Sequence, residues 1–98
     1  MSVIVEWDPN KAMLNQKKHS VSFEEAATIF DDPLSSTIED LHHSQTEERL
    51  IIVGKSKQNR LLVVVHIDSG ERIRIISARM ATNYERKTYE EANPNTRP

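Results

Sequence analysis

The chain has 98 residues, 13 Lys/Arg against 15 Asp/Glu for a net charge of −2, and no cysteine. That length holds one domain around one modest core, and it excludes disulfides and thiolate metal sites. No apolar run nears the roughly 20 residues that span a bilayer.

The near-neutral total hides a polarised chain. Residues 55–87 carry eight Lys/Arg and three acids, whereas 24–48 carry eight acids and neither Lys nor Arg. The start, Met1 to Asp8, lacks the basic stretch and apolar run of a secretory leader, so a soluble cytoplasmic protein is the expectation. Residues 1–92 read as the domain, and 93–98 as a frayed tail.

Val3–Glu6 is a short apolar run and reads as a first strand. Asp8-Pro9 is a helix start, with Asp accepting orphan N–H bonds and Pro losing nothing at the first helical position. That helix runs to about His19 and ends in Lys17, Lys18 and His19, which suit the negative end of its dipole. Ser22-Phe23-Glu24-Glu25 is a capping box, with Val21 set to staple onto Ala26. Phe23, Ala26, Ala27 and Phe30 fall on one face of the helix it opens, and Asp31-Asp32-Pro33 stops that helix.

From residue 36 the period changes. Strands are expected at Ser36–Leu41, Arg49–Gly54, Arg60–Ile67 and Arg72–Ala78, with turns at Lys57-Gln58-Asn59 and Asp68-Ser69-Gly70-Glu71. The third is a near-continuous β-branched run, which suits a central strand covered on both faces. Short connections predict antiparallel neighbours. Thr82-x-x-Glu85 opens a final helix to Glu91. The order is β-α-α-β-β-β-β-α, an α+β domain with an antiparallel sheet, two N-terminal helices and a C-terminal helix.

Arg72 and Arg74 alternate with Ile73 and Ile75 and so share one face. Arg79 falls on the other parity unless a bulge intervenes, and the sequence signals none. Two readings stand open: arginines on a solvated face paired with acids such as Glu71 or Glu85, or a surface for a polyanion such as RNA. Lys11 and Lys18 lie seven apart on one helix face. His19 is the side chain best placed by pKa for general acid/base work, though a histidine at a helix end also serves the dipole. Asp40, His42 and His43 read as a solvated loop, because adjacent strand histidines point to opposite faces and chelate poorly. His66, inside the apolar run, reads as half-buried. There is no Gly-rich phosphate loop, nucleophile elbow or HExxH.

One ordered set spans Val3 to Glu91. It comprises Trp7-Asp8-Pro9-Asn10-Lys11, Asn15, Lys18-His19, Val21 to Ala26, Phe30-Asp31-Asp32-Pro33, Glu47-Glu48-Arg49 and Ile52-Val53-Gly54. It continues through Arg60 to Val65, Arg72 to Arg79, Ala81-Thr82, Glu85-Arg86 and Tyr89-Glu90-Glu91. This set resembles the BrnT toxins. The resemblance implies a type II toxin–antitoxin toxin of RelE-like fold, a ribonuclease that stops translation by cleaving RNA, including mRNA on the ribosome. It implies a small ribbon-helix-helix antitoxin of the BrnA type as partner in a hetero-oligomer, and operator DNA reached through that antitoxin. On the residues that match, it implies His19, Arg74 and Arg79 as catalytic groups and Lys11, Lys18, Arg72, Arg86 and Tyr89 as RNA contacts, with no metal or cofactor. The family is expected to carry an aromatic or apolar residue where this chain has His66.

The chemistry implied is transesterification by the ribose 2′-OH. It needs a base, positive charge on the phosphorane, and an acid for the 5′-oxygen. The rival is a catalytically degenerate toxin that only binds its antitoxin and helps repress the operon. A standalone RNA-binding domain lacks the expected aromatic motif.

Overall fold

The computed structural model describes residues 3–39 and 49–93. Among them, β1 (Ile4–Trp7) leads into α1 (Pro9–His19) and α2 (Phe23–Ala27), which tightens into a 3-10 turn (Thr28–Asp31). Then come β2 (Ser36–Glu39), β3 (Arg49–Lys55), β4 (Leu61–Asp68), β5 (Arg72–Met80) and α3 (Asn83–Ala92). The strands form one sheet in the order β1-β5-β4-β3-β2. Asp40, His42 and His43 lie outside the described residues, as do 94–98. Asn93 is held as the C-cap of α3, its amide donating to the Leu34 and Tyr89 carbonyls.

The long β-branched run is the central strand, with Leu61 to Val64 all buried. β2 to β5 run antiparallel, as their short connections dictate. The sheet is nevertheless mixed, which corrects the all-antiparallel expectation. β1 pairs parallel with β5, from Ile4 opposite Arg72 to Trp7 opposite Ile75. Two helices separate β1 from the next strand, so no hairpin fixes its direction, and it settles beside the last strand instead.

Each expected N-cap residue caps its helix, but at Ser22 only half of the expected box forms, because the Glu25 carboxylate turns to Arg60 and Ser56. Asp8 accepts from the Asn10 N–H (2.8 Å), and the Ser22 hydroxyl from Glu25 N–H (3.0 Å). Thr82 and Glu85 form both bonds of a capping box. α2 and its continuation pack on one face of the sheet, where Phe23, Ala26 and Ile29 meet Ile52, Leu62, Val64, Ile75 and Ala78. Ala27 and Phe30 lie at the margin of that cluster. Ile29 is fully buried because the helix tightens at Thr28, whose hydroxyl donates to the Glu25 carbonyl (2.7 Å). Three residues per turn then align positions 23, 26 and 29. Gly54 lets this turn and the chain entering β2 lie on β3: a Cβ there would stand 3.4 Å from the Ile29 Cβ and 3.1 Å from the Ser35 Cβ.

Two polar clamps tie the helices to the sheet. Glu25, buried in α2, receives the Arg60 guanidinium side-on and the Ser56 hydroxyl (2.7 Å), which locks the β3–β4 turn. The Arg60 hydrogen bond keeps this carboxyl below its ordinary pKa against the opposing pull of burial. Asp32 accepts from the Lys55 and Leu34 N–H groups and the Tyr89 hydroxyl, joining turn, strand and α3. Burial opposes its ionisation, but those three donors outweigh it and its pKa lies low.

Candidate active site

β1 covers the edge of β5 only as far as Ile75. Beyond that point Asn15 of α1 takes the place of a strand. Its Nδ2 donates to the Ala78 carbonyl (2.8 Å) and the Val21 carbonyl (3.0 Å), and its Oδ1 accepts from the Ala78 N–H (3.1 Å). The amide is buried and pairs the exposed edge as a neighbouring backbone would. This places the flank of α1 against the middle of the arginine strand.

Here β5 carries a bulge. Ile67 pairs with Arg74 and His66 with Ile75, but Val65 pairs with Ser77 and Val63 with Arg79, so Ile76 is the extra residue. Val63, Val65 and Ile67 share one face of β4, and residues directly opposite share that face. Arg74, Ser77 and Arg79 therefore share one face of the sheet, with Arg72 two residues before Arg74. Without the bulge Arg79 would point to the helix-covered face. One inserted residue gathers three arginines that strand alternation alone separates.

The three differ in their bonding. Arg79 meets Glu85 end-on, Nη1 to Oε1 at 2.8 Å and Nη2 to Oε2 at 2.9 Å, and Nη1 also donates to the Met80 carbonyl. The Arg79 guanidinium pulls the Glu85 carboxyl down to about 2, with burial opposing and the Thr82 N–H helping. Arg72 pairs with Glu6 at 2.9 Å on the surface. Arg74 is exposed and has no side-chain partner among the described residues.

Lys11, Lys18 and His19 gather at the junction of α1 with the bulge. They line a shallow cleft of about 210 Å³ with Leu14, Asn15, Ile76 and Ser77. Ser77 belongs both to this cleft and to the arginine face, so it links the two groups. Arg86 is half-buried on α3 without a side-chain partner among the described residues. Tyr89 is buried and its hydroxyl donates to Asp32 (2.8 Å). Burial and that carboxylate push it up to about 12. Its ring forms part of a groove and its hydroxyl is committed to the fold. Among the described residues no three His, Asp or Glu side chains are grouped as metal ligands.

A family model described as the ribonuclease toxin BrnT of type II toxin–antitoxin systems matches residues 7–85. The chain belongs to the BrnT family. The crystal structure of the Brucella abortus ribonuclease toxin BrnT superposes with a TM-score of 0.64 at 19% identity, over 84% of this chain and 100% of that one. At that identity the likeness shows a shared fold. No curated protein sequence matches the chain. Membership makes this BrnT-family chain one of a group of ribonuclease toxins whose systems pair a toxin with an antitoxin. The matched span takes in α1, the whole of β5 and the Thr82–Glu85 capping box, and so every element that builds the junction described above.

Sequence reasoning missed several parts of this junction. Asn15 entered only as one letter of a family pattern, yet its amide seats α1. The bulge has no residue signature of its own, since Ile75-Ile76-Ser77 reads as ordinary strand. Glu85 was legible as a cap and as one possible partner of an arginine, and it is both.

Proposed function

We propose that this protein is a metal-independent endoribonuclease toxin of RelE-like architecture that cleaves RNA by transesterification and so inhibits translation. The observation that carries the reading is the β5 bulge, which sets Arg74, Ser77 and Arg79 on one face next to the cleft holding Lys11, Lys18 and His19. His19 is the base for the 2′-OH or the acid for the leaving 5′-oxygen. Arg74 and Arg79 stabilise the phosphorane, a task suited to permanently charged planar donors. Arg74 is available as it stands. Arg79 keeps part of its five-donor fork once Glu85 and Met80 are served. Lys11, Lys18, Arg72 and Arg86 carry the flanking phosphates, and Tyr89 supports the groove above them from within the fold.

The partner in this reading is a BrnA-type ribbon-helix-helix antitoxin, which neutralises the toxin in a cytoplasmic hetero-oligomer and brings it to operator DNA. The substrate is RNA, including ribosome-associated mRNA.

The test is incubation of the purified chain with single-stranded RNA in EDTA, with analysis of the new ends. Cleavage leaving a 2′,3′-cyclic phosphate is expected. Cleavage that stops in EDTA and returns with Mg²⁺ or Zn²⁺ would overturn the metal-free chemistry. No cleavage under any condition, together with tight antitoxin binding, would establish the degenerate binding module instead.

A further inference from the structure

Beyond the arginines lies a groove that the chemistry above does not use. It has a volume of about 350 Å³ and runs between α3 and the outer strands of the sheet. Ile51 and Val53 of β3 form its floor, Ile38 of β2 one side, and Tyr84 and Tyr89 of α3 the other. The Arg79–Glu85 pair closes one end. The hydroxyls of Ser36 and Thr88 are among the few polar groups on its walls. Tyr84 stands at the rim and is 79% exposed.

We propose that this groove holds one nucleobase of a single-stranded RNA, stacked on Tyr84, with the adjoining phosphate at Arg79. The inference rests on the RNA-cleaving function proposed above and adds the subsite that selects a base. Three features favour it. The volume and apolar lining, with a few polar groups, are those of a small-ligand pocket. An aromatic ring exposed at a rim is a platform on which any base can stack, and a base edge can be read by the Ser36 hydroxyl and by the lone pairs of the Thr88 hydroxyl, whose proton goes to the Tyr84 carbonyl. The groove also abuts the cationic face: Arg79, paired with Glu85, lines it, and Ser77, two residues back on the same face, borders the Lys11–Lys18–His19 cleft. Two strand residues span roughly 7 Å, a step that an extended RNA strand takes from one phosphate to the next. An apolar side chain of a protein partner would fill the groove but offer nothing to the donors Arg79 has left beyond Glu85 and Met80, whereas a nucleotide supplies both a ring and an anion to accept from them.

The experiment compares the wild-type chain with Tyr84→Ala and Tyr84→Trp, each checked by thermal melting. Exposure of Tyr84 predicts unchanged melting. Steady-state cleavage of a single-stranded oligoribonucleotide is expected to show KM raised about tenfold or more in Tyr84→Ala, with kcat nearly unchanged and the preferred cleavage position blurred. Tyr84→Trp should restore KM. In parallel, each of the four nucleoside 5′-monophosphates is titrated into wild-type protein while the amide resonances of Ile38, Ile51 and Val53 are followed by NMR. Saturable shifts there, reduced in Tyr84→Ala, are expected and do not depend on cleavage. Unchanged KM and cleavage pattern in Tyr84→Ala would overturn the proposal, as would weakening of antitoxin binding alone, which would make the groove a protein-docking site. If the wild type cleaves no RNA, the enzymatic reading fails on its own, and the titration still decides the groove: shifts uphold the base site and their absence removes it.

Discussion

Replacing Asn15 by alanine tests how the fold seats the candidate site. The substitution removes three hydrogen bonds and strands three backbone groups, the Ala78 N–H and carbonyl and the Val21 carbonyl. A buried polar group left unpaired costs about 1–3 kcal/mol. Asn15 also borders the basic cleft, so water can reach part of the vacated space and the low end of that range applies to each group. The expected loss is about 3 kcal/mol, against a total of roughly 5–15 kcal/mol for a domain. At about 4–8 °C per kcal/mol for a domain this small, the melting temperature should fall by roughly 12–24 °C. Urea unfolding gives the free energy, and hydrogen exchange at the Ala78 amide reports the edge directly and should accelerate. Leu14→Ala is the control: Leu14 is its neighbour on α1 but exposed, so its loss should stay within about 0.5 kcal/mol. A loss under about 1 kcal/mol for Asn15→Ala, or an equal loss for Leu14→Ala, would refute the idea that this amide replaces a strand.

Three further outcomes are expected. Arg74→Ala should abolish growth arrest on induction with no change in melting, while Arg79→Ala should abolish arrest and also cost about 1 kcal/mol, because it frees Glu85; full toxicity in both variants would remove them from the mechanism. The folded state holds the Glu85 pKa near 2 against 4.5, so its stabilisation is complete above pH 4.5 and disappears as pH falls toward 2. With Arg79 41% exposed, solvent screening leaves about 1 kcal/mol of it. Glu85→Gln should flatten that part of the urea-midpoint curve, and an unchanged curve would contradict the ion pair. Burial holds the His66 pKa below 6.5 and its Nδ1 has no hydrogen-bond partner among the described residues. The stability tied to His66 is therefore full above pH 6.5 and lost as pH falls. His66→Phe keeps an edge-on ring against Phe30 and should raise the urea midpoint at pH 5.5 more than at pH 7.5; an equal change at both would mean that His66 does not titrate in this way.

What the sequence made legible was local. Caps at Asp8, Ser22 and Thr82 follow from side chains that bond within three residues, and the buried run from Leu61 marks the centre of the sheet by composition alone. What it hid was relational. The direction of β1 depends on a partner more than sixty residues away. The helix period that buries Ile29 changes at Thr28, where one hydroxyl finds a carbonyl. The bulge at Ile76 is a register shift between two strands, so neither strand read alone contains it. The candidate site shared this split. Lys11 and Lys18 were visible as one helix face, and they line one cleft with His19. The common face of Arg72, Arg74 and Arg79 hung on a bulge that no residue announced. The groove under α3 is built from β2, β3, β5 and α3 at once, so no single segment of sequence shows it.

In the proposed mechanism the α1 cleft and the arginine face form one catalytic site joined at Ser77. A double-mutant cycle on single-turnover RNA cleavage, with His19→Ala, Arg74→Ala and both together, tests it most directly. Groups acting on one transition state lose rate non-additively. Each single variant should lose about 10²–10³ in rate, and the double variant should lose little more than the worse single one. Losses that multiply, or full activity in either single variant, would contradict a shared site.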